Sequence, residues 1–265
     1  SLTELSVSRG VLRARVHVNG VVSGPHLVTE PGELEGVAIV TGGTGGLGAA
    51  VIADLLDGGA EVVTTWVVEA ERERFESSEL AGREGLSLVE ANLLEGGAEA
   101  AVAAARERGP VRSLVNVAGG FASGPKLNEA DPAELERMLA LNLSTAANAS
   151  RVALPAMLEA GGGAIVCIGA RAALEPFAGG SSYAISKAAV LALVRSLDAD
   201  YRDEGIRANA VLPSVIDTPA NREAMPDADF DAWVRPAEIA RVIRFLCSRD
   251  SAAVSGAAIP VYGRS

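Results

Sequence analysis

The chain has 265 residues, 49% of them hydrophobic, with 29 glycines and few aromatics; this composition suits a tightly turned α/β core and excludes fibrous or disordered classes. The formal net charge of −11 excludes the basic face that nucleic acid requires. Both histidines, His17 and His26, stand near the start, so Ser–His triads and histidine-held zinc are excluded from the rest of the chain.

Residues 1–32 stand apart. Val11 to Val22 alternates apolar and polar residues around Asn19-Gly20, which is the signal of a two-residue hairpin, while Pro31-Gly32 punctuates the chain. This arm is either a surface hairpin or a flexible extension. A single domain is expected over residues 33–265. In it, strands at Val37–Thr41, Glu61–Val68, Leu86–Glu90, Ser113–Asn116, Ala164–Ile168, Arg207–Leu212 and Ala257–Val261 alternate with helical patterns. The helices fall at Gly46–Leu56, Gly97–Arg108, Ala133–Glu159, Tyr183–Arg202 and Pro236–Leu246. Short apolar strands alternating with amphipathic helices imply right-handed βαβ units and a doubly wound parallel sheet, the Rossmann arrangement. Cys167 and Cys247 lie in apolar runs and read as core residues, not as a disulfide or metal pair. No signal-peptide pattern and no bilayer-spanning apolar run are present, so a cytoplasmic protein without membrane partners is expected.

The segment Val40-Thr41-Gly42-Gly43-Thr44-Gly45-Gly46-Leu47-Gly48 joins the first of these strands to the first helix. Glycine permits the tight turn and a close backbone approach to a pyrophosphate, and the helix N-terminus adds partial positive charge. No Gly-Lys-Ser/Thr follows, which excludes a Walker loop. Farther on, Tyr183 and Lys187 stand at i and i+4 and share a helix face. A lysine so placed is expected to lower the pKa of the phenol, which then exchanges a proton with a carbonyl or alcohol oxygen. The alternative is a half-buried tyrosine beside a solvated lysine. Only one other lysine, Lys126, occurs in the chain.

In order, Thr41-Gly42-x-x-x-Gly46-x-Gly48, Asn116-Val117-Ala118-Gly119, Asn142, Tyr183-Ala184-Ile185-Ser186-Lys187 and Pro213-Ser214-Val215-Ile216-Asp217-Thr218 resemble the motifs of the short-chain dehydrogenase/reductase family. The resemblance runs from about Gly36 to Tyr262. It implies an NAD(P)-dependent oxidoreductase that moves a hydride between a nicotinamide and a carbonyl or alcohol. Tyr183 would be the acid/base, Lys187 its partner and ribose ligand, and Asn142 both the asparagine that bends the long helix and the anchor of a proton relay. It places the cofactor against Gly42, Thr44, Gly45, Gly46, Leu47 and Gly48; against Trp66, Asn92 and Leu93 at the adenosine end; and against Asn116, Ala118, Gly119, Tyr183, Lys187, Pro213, Ile216 and Thr218. No metal is implied. A homo-oligomer, tetramer or dimer, is implied through Ala133–Glu159, Tyr183–Arg202 and Ala257–Val261.

The chain departs from the family at four positions. Val117 replaces an asparagine and Ser214 a glycine. Ala170 stands where the family keeps a catalytic serine, in Gly169-Ala170-Arg171-Ala172-Ala173-Leu174, a segment similar to one in dihydropteridine reductases. Removing one hydrogen-bond donor from a reacting oxygen costs about 2.7–4 kcal/mol of transition-state stabilisation. Ser181 and Ser182 either face the pocket or belong to the helix start. At the second strand's end, Trp66 satisfies neither the acidic rule for NAD nor the basic rule for NADP. Glu69 either reaches a ribose hydroxyl or charges a helix N-terminus, and Arg72 and Arg74 either meet a phosphate or solvent. Residues 218–233, with Asn221, Arg222, Met225 and Pro226, are expected to cover the nicotinamide, and Gly119-Gly120-Phe121-Ala122 to form a pocket wall for a small-molecule substrate. Two further readings stay open: reduction of a quinonoid or imine substrate, as in dihydropteridine reductases, and nucleotide binding without turnover.

Overall fold

The computed structural model describes residues 2–8, 11–16 and 32–264. Strands β1 (Leu2–Ser8) and β2 (Val11–Val16) pair antiparallel as a separate two-stranded sheet. The Asn19-Gly20 turn expected from sequence lies outside the described residues.

The main sheet contains β3 (Val37–Thr41), β4 (Glu61–Trp66), β5 (Leu86–Glu90), β6 (Val111–Asn116), β7 (Gly163–Ile168), β8 (Ile206–Pro213) and β9 (Ala258–Val261). Its order is β5-β4-β3-β6-β7-β8-β9, and every pairing is parallel. The inner strands bury both faces, which is why they read as largely apolar runs, while the edge strands β5 and β9 are only partly buried. In β3, Val37 and Ile39 face one helical layer while Ala38 and Val40 face the other. The first layer is α3 (Ala98–Arg108), α5 (Thr145–Glu159) and α6 (Ser181–Tyr201); the second is built chiefly from α1 (Gly46–Asp57) and α8 (Pro236–Cys247). Phe75 of the short helix α2 (Glu69–Glu76) joins the second layer. Cys167 is fully buried, in keeping with its apolar setting, whereas Cys247 is only partly so; both are unpaired.

The run Ala133–Glu159, expected as one helix, is divided. Helix α4 (Pro132–Leu139) ends where five residues, Ala140–Ser144, form a π turn that leads into α5. One extra residue in a turn leaves the 3.6-residue pattern of the flanks intact, so periodicity alone does not reveal it. No described helix is long and apolar enough to cross a membrane. The strand order reverses between β3 and β6, and ligands of such sheets lie at the strands' carboxyl ends at that point.

Candidate active site

The turn after β3 sits at this switch. Gly42 has φ +67°, and a Cβ there would stand 2.8 Å from the Ala118 Cα. A Cβ on Gly48 would stand 2.4 Å from the Gly42 carbonyl oxygen. Gly43 is tighter still, at 1.9 Å from Thr64 Oγ1. That glycine occupies an unassigned position of the motif, and Thr64 of the facing strand β4 together with Ile52 of α1, 2.5 Å from the same Cβ, explains it. At Gly45, by contrast, the nearest atom to an added Cβ is 3.6 Å away. Gly45 is the N-cap of α1; no side chain caps this helix and no acid stands in its first turn. Its N–H groups and partial positive charge are therefore available to an anion. Leu47 turns its side chain into the core. The methyl carbon of Thr218 lies 3.1 Å from where a Gly46 Cβ would stand, which brings the segment after β8 against the same turn.

Thr41 links the turn to the end of β6: its Oγ1 accepts from the Val117 and Ala118 N–H groups at 3.1 and 3.2 Å. The Asn116 side chain points inward. Its Nδ2 donates to Ser150 Oγ at 3.2 Å and to Cys167 Sγ at 3.5 Å, and it is 3% exposed. The side chain that the resemblance set against the cofactor is thus engaged within the core. Asn142, at the centre of the π turn, is buried and grips Gly120 from both sides. Its Oδ1 accepts from Gly120 N at 3.0 Å, and its Nδ2 donates to Gly120 O at 3.1 Å and to Ser186 Oγ at 3.0 Å. Gly119 lies between, since a Cβ there would be 2.5 Å from Asn142 Oδ1 and 3.5 Å from Lys187 Nζ. The structure thus gathers Gly119, Asn142, Tyr183 and Lys187 in one place.

Tyr183 and Lys187 share a face of α6, with Lys187 Nζ 5.9 Å from the Tyr183 ring centroid. Lys187 is buried and donates to the Ile168 carbonyl at 2.8 Å. Burial lowers its pKa to about 8. Burial also pushes the Tyr183 phenol up to about 12. The lysine-lowered phenol expected from sequence is therefore corrected. The ammonium is aimed at a backbone carbonyl, and desolvation dominates both groups. Ala170 is buried with extended backbone, and Ser181 and Ser182 open α6 without capping it, because Gly180 is the N-cap. Phe121 meets the Tyr183 ring edge-on at 4.9 Å and stacks with Phe177 at 6.3 Å. Phe177 and Ser186 were not singled out in the sequence; they come from the loop before α6 and from the motif's variable position.

At the other end of the crevice, Trp66 closes β4 with the Arg72 guanidinium 5.2 Å from its ring centroid. Arg72 is ion-paired with both Glu69 and Glu76, and Glu69 is held below its usual pKa by that hydrogen bond. Thr44 Oγ1 donates to Glu71 Oε2 at 3.2 Å, bridging the turn to α2. Ala91 N donates to the Trp66 carbonyl at 3.0 Å, which sets Asn92 and Leu93 just beyond it. Asn92 Oδ1 accepts locally from Leu94 N, and Leu93 is buried. Past Pro213, Ile216 bridges to Val234, and Thr218 caps α7 (Pro219–Ala224). Arg222 pairs with Asp217 at 2.5 Å and lies over the Phe230 ring at 4.6 Å.

Residues 36–229 match the family model described as short chain dehydrogenase. The chain is 33% identical over 242 residues to 2-(R)-hydroxypropyl-CoM dehydrogenase of Xanthobacter autotrophicus, covering 86% of this chain and 97% of that one. It is 36% identical over 239 residues to cis-4-hydroxycyclohexanecarboxylate dehydrogenase of Sinomonas cyclohexanicum, covering 86% and 96%. Its fold is similar, with a TM-score of 0.76 and 25% identity, to a gluconate 5-dehydrogenase from Burkholderia cenocepacia in complex with NADP and tartrate; 88% of this chain and 96% of that one are covered.

Proposed function

The chain belongs to the short-chain dehydrogenase family and is an NAD(P)-dependent oxidoreductase of alcohol and carbonyl groups, and on that premise we propose that Tyr183 is its acid/base. The observation that carries this reading is the convergence of Tyr183, Lys187, Asn142 and Gly119 beside the reversal of the sheet. The uncapped, glycine-built start of α1 fits a pyrophosphate, so the backbone of Gly45, Gly46, Leu47 and Gly48 would hold it, with Gly42 giving the close approach. Trp66, Asn92 and Leu93 would flank the adenosine; Ala118, Gly119, Lys187, Pro213, Ile216 and Thr218 would hold the nicotinamide half. When bound, a reduced nicotinamide supplies the hydride to the carbonyl carbon and is itself oxidised. Tyr183 gives its hydroxyl proton to the carbonyl oxygen in the same step, so the product is the alcohol; the reverse direction returns both. With Ala170 in place of a second donor, Tyr183 is the side chain that hydrogen-bonds the reacting oxygen.

Arg72 is neutralised by two carboxylates, and Glu71 stands bonded to the phosphate-binding turn. Both features disfavour an added 2′-phosphate, and NAD is proposed over NADP. The arm of residues 1–32 is an extension outside the domain of 33–265. A cytoplasmic homotetramer through α4–α5, α6 and β9 completes the reading; a monomeric mass from light scattering would exclude it. The test of the activity is transfer of deuterium from C4-deuterated reduced cofactor into the alcohol formed from a ketone. Deuterium at the carbinol carbon is expected, and its absence across a carbonyl panel overturns the reading.

A further inference from the structure

Two loops meet over Tyr183. One follows β6 and carries Phe121; the other precedes α6 and carries Phe177. They are clasped by a hydrogen bond from Gly124 N to Gly179 O at 2.9 Å. Glycine is required at the crossing: Gly179 has φ +79°, and a Cβ there would stand 2.2 Å from the Gly124 oxygen. A Cβ on Gly180 would stand 2.6 Å from the Phe177 ring. The backbone is thus shaped so that Phe177 lies down on the start of α6, Phe121 stacks on it, and Tyr183 is met by the Phe121 edge.

These rings are not core residues. Phe121 is 62% exposed and Phe177 45% exposed, so an apolar surface is held open beside a titratable phenol. The guanidinium groups on the neighbouring segments are committed. Arg171, next to Ala170, pairs with Glu175 at 2.7 Å and lies over the Tyr262 ring; Arg222 pairs with Asp217 and lies over Phe230. Lys187 is buried on the Ile168 carbonyl, and Lys126 stands on the exposed run beyond Gly124.

We propose that the ladder Phe177–Phe121–Tyr183 is the substrate wall, and that it selects an uncharged ketone or secondary alcohol whose carbonyl carbon bears a flat aromatic ring or lies within a carbocycle. The selection rests on Tyr183 acting as the acid/base. Aromatic rings receive flat carbon skeletons by offset or edge contact, which a flexible chain matches less well. A carboxylate on the substrate would be partly desolvated against two phenyl rings, while Arg171 and Arg222 already hold carboxylates of the chain.

The test uses the intact enzyme with its cofactor and two matched pairs of probes. Acetophenone against 2-octanone compares ring with chain; 4-methylcyclohexanone against 4-oxocyclohexanecarboxylate compares neutral with charged. The value of kcat/KM is expected to be about tenfold higher for the first member of each pair. Phe121→Ala is expected to raise the KM for acetophenone about tenfold with the Kd of the reduced cofactor unchanged, and Phe177→Ala repeats the check from the other loop. Equal or better turnover of 2-octanone or of the carboxylate, or a KM indifferent to both truncations, overturns the proposal while leaving the role of Tyr183 intact. If no probe is consumed, calorimetric titration of 1-phenylethanol into enzyme saturated with oxidised cofactor decides. Absence of binding overturns the wall; binding abolished by Phe121→Ala upholds the wall and places the fault in the catalytic reading.

Discussion

Asn142→Ala tests the claim that the π turn exists to hold the loop after β6. The wild-type side chain makes three hydrogen bonds of 3.0–3.1 Å, two to the Gly120 backbone and one to Ser186, while 2% exposed. At roughly 0.5–1.5 kcal/mol net for each, the loss is about 1.5–4.5 kcal/mol. Alanine returns roughly 0.7 kcal/mol or less in helix propensity. A net destabilisation of about 1–4 kcal/mol follows, or a fall in Tm of about 2–15 °C for a chain of this size. Asn148→Ala on α5 is the control, because its side chain makes a single bond of 2.9 Å to the Leu93 carbonyl; its expected cost is about 1 kcal/mol. Denaturant unfolding at one protein concentration measures both. An Asn142→Ala variant no less stable than Asn148→Ala would refute the reasoning, since the three bonds would then hold nothing together.

Gly43→Ala and Gly45→Ala separate fold from cofactor. A Cβ at Gly43 overlaps Thr64 and Ile52, so that variant is expected to lose about 1–3 kcal/mol or more of stability in thermal melts. At Gly45 the space is open, so melting is expected to stay unchanged while calorimetric affinity for reduced cofactor falls. Lys187 has a folded pKa of about 8 against an ordinary 10.5, so the unfolded chain binds more protons in that window. Its contribution to stability therefore rises as pH climbs from about 8 to 10.5, and Lys187→Met is expected to lose this rise in pH-resolved denaturation. Tyr183, raised from 10 to about 12, acts in the opposite sense, its contribution being lost as pH rises through that range. Titration of Trp66 fluorescence is expected to show tighter binding of NADH than of NADPH, and Glu71→Gln to narrow the difference. Equal affinities in the wild type would contradict the reading of Arg72 and Glu71.

The parallel sheet was legible because β3, β6, β7 and β8 are apolar on both faces and are separated by amphipathic helices. The turn was legible because Gly42 and Gly48 answer local contacts within the turn or to the strand beside it. Gly43 was not, because its need arises from the side chains of Thr64 on β4 and Ile52 on α1, at a position that the motif leaves open. The split of Ala133–Glu159 was hidden from periodicity, because a π turn changes hydrogen bonding without changing residue type; only the resemblance, through the helix-bending asparagine at Asn142, marked its place. The Tyr183–Lys187 spacing gave the right face but the wrong pKa, because burial and the Ile168 carbonyl are properties of the assembled core. The Phe121–Phe177 contact joins residues from two loops, and no local pattern encodes it.

The central claim is that Tyr183 moves the proton. The direct measurement is single-turnover oxidation of bound reduced cofactor by a ketone in Tyr183→Phe, alongside calorimetric cofactor binding. The account predicts an unchanged cofactor Kd with hydride transfer slowed by about 10²–10⁴-fold. Hydride transfer at the wild-type rate in Tyr183→Phe would contradict it.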